Sequence, residues 1–303
     1  MTIQDIASLI KKQTGAQVRI HEPMTNHTSF HIGGPADVLV IPGSVEDVRT
    51  VLRIVRENGI SLTVLGYGSN VLVRDKGIRG VVLKLGNALK RWRQESNVFT
   101  FGSGMSLAQC CRIIGEAGFT GMEFATGIPG SLGGAVYMNA GAYGGEMKDT
   151  VSSVSVMDPD GELKTLTRED LQFSYRHSAL QESELIVLEV TLQAQEGNTA
   201  DIKAKMADFN QRRISKQPLE LPSAGSTFKR PEGHFVGAMV EQAGLKGYRI
   251  GGAEVSKKHA GFIVNADHAT AADVLQLIAY IQERIRKEYD TQLVPEVLVL
   301  GEE

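Results

Sequence analysis

Five glycines fall between residues 127 and 141, in the run Gly127-Ile128-Pro129-Gly130-Ser131-Leu132-Gly133-Gly134 and the following Asn139-Ala140-Gly141. Turns alone do not call for so many positions without a Cβ. That density is useful where backbone must bend sharply or come close to a ligand. A smaller cluster, Gly66-Tyr67-Gly68-Ser69-Asn70, stands between the apolar runs Leu62 to Leu65 and Val71 to Val73. The two familiar nucleotide fingerprints do not occur: no G-x-G-x-x-G joins a strand to a helix, and there is no G-x-x-x-x-G-K-[ST]. The first cluster runs into β-branched residues, so no helix N-terminus is expected at a phosphate there. A nest of backbone N–H groups binds phosphate without a helix, however. Two such loops together suggest a bound diphosphate. The plainer alternatives are a hairpin turn for the first cluster and a wide surface loop for the second.

Composition sets the frame for these loops. Apolar residues make up 42% and charged residues 22%, and the formal net charge is −3. That describes a globular chain with no bulk attraction to nucleic acid or an anionic membrane. No apolar run reaches the ~18 residues of a membrane span. The opening MTIQDIASLIKKQTGA reads as an amphipathic helix and lacks the apolar stretch of a signal peptide. Cys110 and Cys111 are adjacent and lie in a helical pattern, so they are expected as buried thiols of a reducing cytoplasm. His27 and His31 are four apart but sit among β-prone residues, and no third ligand is apparent, so no metal is expected.

Helix signals are clear at several points. Ser44 caps a stripe of Val48, Val51, Leu52 and Val55 with Asp47 at the capping-box position, ended by Gly59. Ser106 to Gly118 and Asp201 to Lys216 read as helices, and Thr270 with Asp273 opens another. From Val151 to Ala194 the pattern is β-rich, and Leu293 to Leu300 reads as a strand. Strands and helices mix without a strict βαβ rhythm, which gives an α+β class. The polar stretch Gln195 to Thr199 marks a boundary, with residues 1–198 as one domain and 199–303 as a second.

Six blocks then occur in one order: Asn26 to Asp37, the G-x-G-S-N loop, the Gly127–Gly141 segment, Phe173-Ser174-Tyr175-Arg176-His177-Ser178, Gly225-Ser226-Thr227-Phe228-Lys229, and Pro295-Glu296-Val297. That order resembles the UDP-N-acetylenolpyruvoylglucosamine reductase family. The resemblance implies a vanillyl-alcohol-oxidase-type (PCMH-type) FAD-binding fold of two lobes, divided near residues 75–80, plus a C-terminal α+β substrate-binding domain. It implies non-covalent FAD, since nothing matches a covalent flavin anchor. Cofactor contacts carry over to Gly66, Gly68, Ser69 and Asn70. In the second segment they carry over to Gly127, Ile128, Pro129, Gly130, Ser131, Gly133 and Gly134, then to Asn139 and Gly141. NADPH would be the co-substrate, UDP-N-acetylglucosamine enolpyruvate the substrate, and the protein a cytoplasmic monomer. No nucleic-acid partner and no membrane insertion are expected.

The implied reaction turns an enolpyruvyl ether into a lactyl ether: hydride reaches the methylene carbon and a proton reaches its neighbour. Charge then gathers on the neighbouring carbon and its carboxylate. Such a site needs a cation or hydrogen-bond donor at the oxyanion and an acid above the carbon. By the resemblance, Arg176 and Glu296 stabilise the enolate and Ser226 gives the proton, with Lys229 supplying nearby positive charge. Tyr175, Tyr143 and Lys229 are the expected substrate contacts. Each has a plain alternative: a turn arginine, an edge-strand glutamate on its solvent face, a turn serine after Gly225, and half-buried tyrosines. Where many members of the family read Lys-Asn-Pro this chain reads Lys229-Arg230-Pro231, and at 303 residues it looks like the shorter subclass without an inserted tyrosine loop.

Overall fold

The computed structural model describes residues 1–86 and 89–303. The chain forms two compact units, and neither is continuous in sequence. The first holds Met1–Ile20, Val38–Tyr67 and Gly80–Arg213; the second holds His21–Asp37, Gly68–Arg79 and Ile214–Glu303.

The first unit has two buried apolar clusters. One forms where the helices Ile3–Gln13 and Val45–Glu57 cover a four-stranded sheet in which Leu62–Leu65 lies parallel to Ile78–Lys84. Ser44 Oγ accepts the Asp47 N–H and starts the second of these helices. Val48, Val51, Leu52 and Val55 then face inward at the helical spacing. The other cluster lies on a five-stranded antiparallel sheet. Its order is Leu163–Thr167, Val151–Met157, Ile186–Gln193, Val98–Gly102 and Trp92–Glu95. Phe99, Phe101, Val154, Val190 and Leu192 meet the helices Leu107–Glu116 and Leu132–Tyr137 there.

The second unit centres on the helix Ala271–Tyr289, whose Val274, Leu277, Ile278, Ile281 and Ile285 are buried with Phe30, Ile32 and Leu72. Thr270 and Asp273 form the capping box of that helix. The Asp75 carboxylate accepts two further N–H groups of its first turn, from Ala271 at 2.8 Å and Ala272 at 2.9 Å. A three-stranded antiparallel sheet, Arg249–Ile250, Ala253–Val255 and Ile263–Asn265, completes the core. Leu298–Leu300 pairs in parallel with Val71–Val73.

Division by compactness runs at 213/214 and gives residues 21–37 and 68–79 to the second unit, where the sequence places a boundary at 198/199. Residues 195–196 pair with 119–120, and a Cβ at Gly115 would touch Ile202 and Met206. The helix Thr199–Lys216 therefore begins against the first unit. The strand expected over Leu293 to Leu300 is regular only over Leu298–Leu300, because residues 294–296 turn their polar groups to another segment. Among the described residues, no helix is long and apolar enough to cross a membrane.

Candidate active site

The first glycine cluster is a crossing and not a hairpin, since Leu62–Leu65 and Val71–Val73 belong to different sheets. Its glycines are compelled by close approach. A Cβ at Gly66 would overlap Ser131 Oγ, and a Cβ at Gly68, whose φ is +67°, would overlap the His27 carbonyl oxygen. Tyr67 donates its hydroxyl to the Gly104 carbonyl at 3.2 Å. Gly68 accepts the Ser29 N–H at 3.1 Å, and the Asn70 side chain donates to the Glu296 carbonyl at 3.0 Å.

The second segment is more ordered than a surface loop. Ser131 caps the helix Leu132–Tyr137 by accepting the Gly134 N–H at 3.3 Å. Gly130 accepts the Leu107 N–H at 3.0 Å, and Gly133 donates to the Ser103 carbonyl at 2.9 Å. Ile128 donates to the Ala125 carbonyl at 3.1 Å, with Pro129 next in the turn. Gly66 of the first cluster and Ser131 of the second thus lie in contact, as two facing loops require.

An arginine missed by sequence reasoning belongs to the same place. Arg213 is only 9% exposed, and its Nε has no hydrogen-bond partner among the described residues. A Cβ at Gly127, whose φ is +77°, would sit 3.0 Å from Arg213 Cδ. Burial pushes the Arg213 pKa below arginine's ordinary value. The signal was available in the sequence. Ile202, Met206, Phe209 and Arg213 fall at i, i+4, i+7 and i+11, so a cation occupies a stripe position that a core-facing helix fills with an apolar residue. Ser103 Oγ is buried without a partner as well. Close-packed glycine backbone, the Ser103 hydroxyl without a partner among the described residues, and a buried guanidinium with an unpaired Nε fit an anionic diphosphate such as that of FAD.

Asn139 is fully buried, its amide donates to Glu146 Oε2 at 2.8 Å and to the Ser174 carbonyl at 2.9 Å, and its Oδ1 accepts the Lys148 N–H at 3.0 Å. Both ends of that side chain are bonded within the protein, so it braces the segment. The brace leads to Arg176. Ser174 and His177 exchange both main-chain hydrogen bonds at 3.1 Å, leaving Tyr175 and Arg176 at the tip of a two-residue turn. Arg176 has a φ of +55°, in the left-handed region that a branched or long side chain rarely adopts. Its guanidinium donates to the Gly141 carbonyl at 3.0 Å, its carbonyl accepts from Gln181 at 3.1 Å, and its charge lies 5.2 Å from the Tyr175 ring. Tyr175 is exposed. Tyr143, also exposed, stacks on Phe209 at 4.4 Å and donates its hydroxyl to the Phe209 carbonyl at 3.1 Å.

In the second unit the segments bearing Ser226 and Glu296 run side by side. Glu296 donates its N–H to the Thr227 carbonyl at 2.8 Å, and Lys229 donates to the Val294 carbonyl at 2.8 Å. On the other flank Thr227 donates to the Gly261 carbonyl at 2.9 Å, while its hydroxyl accepts the Ile263 N–H at 3.0 Å. Thr227 and Phe228 are buried, Ser226 is exposed, and Glu296 and Lys229 are half-buried. Gly225 turns the chain at a φ of +77° with open space where a Cβ would stand. Neighbouring His259 accepts the Gly261 N–H on Nδ1 at 3.1 Å, and burial pushes its pKa down.

The histidine pair separates: His27 is buried against Glu22 at 2.8 Å, and His31 is exposed. No group of three metal-ligating side chains occurs among the described residues. Cys110 and Cys111 are free and buried, and burial pushes their pKa values up to about 12 and about 11.

Comparison with known proteins follows the same division. The family profile described as UDP-N-acetylenolpyruvoylglucosamine reductase, C-terminal domain, matches residues 217–300, and one described as FAD binding domain matches residues 36–167. A UDP-N-acetylenolpyruvoylglucosamine reductase of Syntrophomonas wolfei is 50% identical over 95% of this chain and 96% of its own length. One of Enterococcus faecalis is 50% identical over 94% of each. The crystal structure of the UDP-N-acetylenolpyruvylglucosamine reductase of Thermus caldophilus superposes with a TM-score of 0.81 at 34% identity, covering 94% of this chain and 99% of that one.

Proposed function

The chain belongs to the UDP-N-acetylenolpyruvoylglucosamine reductase family, and from that premise we propose how its own residues divide the work. It is an FAD-dependent oxidoreductase that reduces UDP-N-acetylglucosamine enolpyruvate for peptidoglycan synthesis, with NADPH as co-substrate. When bound, FAD takes a hydride from NADPH and supplies it to the enolpyruvyl methylene carbon.

The residues of the first unit hold and orient. Gly66, Ser131 and the Gly127–Gly134 turn offer bare backbone, and Arg213 offers charge, to the FAD diphosphate. Arg176 presents its guanidinium to the substrate carboxylate as negative charge grows there. The strained φ of Arg176 is the kind of backbone outlier that gathers at functional sites, held here by the Gly141 and Gln181 contacts. The residues of the second unit move the proton. Ser226 donates it to the carbon next to the carboxylate, while Lys229 lowers the cost of the alkoxide left behind. Glu296 presents its carboxyl group to the same developing charge. Tyr143 and Tyr175 offer ring faces to uracil or sugar. We place the enzyme in the cytoplasm on its two free buried thiols.

The observation that carries the assignment is the 2.8 Å bond from the Glu296 N–H to the Thr227 carbonyl, which ties the proposed proton donor's strand to the proposed carboxyl group's strand. The test is a two-step spectrum. Ser226→Ala should still bleach with NADPH, while reoxidation by the enolpyruvyl substrate slows by roughly 10²–10⁴-fold. Equal slowing of both steps would remove Ser226 from the proton transfer.

A further inference from the structure

We infer that Gln181 is a positioning residue for Arg176, holding the turn that carries the guanidinium through its own carboxamide. This rests on the role given to Arg176 above. Tyr175 and Arg176 are the two middle residues of the turn closed by Ser174 and His177, and of the two only Arg176 has a positive φ, +55°. A turn whose single left-handed residue stands in third place ordinarily takes glycine or asparagine there. A long side chain at that place weakens the turn, so groups outside it must hold it. The Cα–Cβ direction turns with φ, and relaxation of this residue to negative φ would swing the guanidinium elsewhere.

The holding group stands a few residues further on, in the 3₁₀ turn Ala179–Glu182. Gln181 Nε2 is 3.1 Å from the Arg176 carbonyl oxygen and 2.8 Å from the Tyr137 carbonyl oxygen. Both partners only accept, so the NH₂ end of the carboxamide faces them and can give one hydrogen to each. Tyr137 closes the helix Leu132–Tyr137, and the last carbonyls of a helix have no partner within it. Ser178, fully buried, donates its hydroxyl to that same carbonyl at 2.8 Å. The helix is fixed in turn, because its Leu132 and Val136 lie in the core of the five-stranded sheet. Gln181 thus ties the main chain of a strained catalytic residue to the end of a packed helix. Without that tie the turn is free to relax and to carry the guanidinium off its place. A displacement of ~1 Å in a catalytic group can cost up to about 10²-fold in rate.

Gln181→Ala removes both donors, whereas Gln181→Glu puts there a carboxyl group that donates only when protonated. Between two carbonyl oxygens that carboxyl is held above the ordinary glutamate range, since only its neutral form can donate. Reoxidation of the reduced holoenzyme by the enolpyruvyl substrate is followed by rapid mixing at saturating FAD, so that cofactor affinity does not enter. At about pH 8 both variants should be reoxidised about 10–100-fold more slowly than wild type. At about pH 5.5 Gln181→Glu should recover to within about threefold of wild type at that pH, while Gln181→Ala keeps its deficit. In the Arg176→Ala background Gln181→Ala should slow reoxidation by less than about threefold, since the two residues act as one unit. Should Gln181→Ala fail to fold, the pH dependence of Gln181→Glu decides alone. Wild-type rates in both variants, a Gln181→Glu deficit that does not change with pH, or equal slowing by Gln181→Ala in both backgrounds would overturn the inference. Reoxidation at the wild-type rate in Arg176→Ala alone would overturn the role of Arg176 itself, a separate result.

Discussion

The two glycine clusters look alike in composition and differ in what makes glycine necessary. At Gly68 the obstacle is main chain, the His27 carbonyl, and backbone cannot step aside. At Gly127 the obstacle is Arg213 Cδ, part of a long side chain that can. In the first cluster the Gly68 carbonyl and the Asn70 side chain are bonded to Ser29 and Glu296. Beside the second, Arg213 Nε and the Ser103 hydroxyl are buried without a hydrogen-bond partner among the described residues. Glycine density by itself thus marks close approach; the chemistry of what is approached decides whether the approach serves the fold or a ligand.

The largest expected effect follows from that contrast. Gly68→Ala should cost more than about 3 kcal/mol, from the left-handed φ and the overlap with main chain together, and give little folded protein by thermal melting. Gly127→Ala shares the left-handed φ but should cost only about 1–2 kcal/mol. If the two destabilise equally, the distinction between main-chain and side-chain obstacles fails. A smaller but sharper effect is expected at Arg213→Met. FAD affinity measured by titration should fall by about 10–100-fold with the loss of a charge-assisted bond. The FAD-free protein should melt no lower than wild type, because removing a buried charge relieves its desolvation cost. A lower melting temperature without FAD would mean that Arg213 supports the fold.

The smallest effect lies at a third glycine pair, Gly237 and Gly261, where a Cβ would touch the His259 ring. Burial lowers the His259 pKa below its ordinary value of 6.5, with Lys246 and Lys216 acting in the same direction and Glu241 opposing them. Below pH 6.5 the unfolded chain takes up a proton that the folded imidazole resists. Stability is therefore full above that pH and declines as pH falls through the folded value. Melting curves between pH 7 and 5 should drop by roughly 2–3 °C more in wild type than in His259→Gln. An identical pH dependence would show that the ring does not resist protonation.

Local signals were legible in the sequence, and non-local ones were not. Ser44, Ser106 and Thr270 cap the helices their spacing announces, because a cap and its stripe lie within one turn of each other. Ser131 also caps a helix, yet its segment reads as loop, since six residues are too few for a periodic stripe. Nothing nearby in sequence shows that Ser174 claims the Asn139 amide, 35 residues away. The same holds for Asn70, whose side chain donates to a carbonyl 226 residues away. Arg213 was legible after all, as a charge on an apolar stripe, a sign easily dismissed as surface.

The parallel pairing of Val71–Val73 with Leu298–Leu300 also bears on how this protein is made. A ribosome releases Phe30, Ile32 and Leu72 long before it has translated the helix Ala271–Tyr289 that shelters them. The second unit can close only once that helix has been made, so its earliest apolar residues wait on a partner some two hundred positions further along the chain.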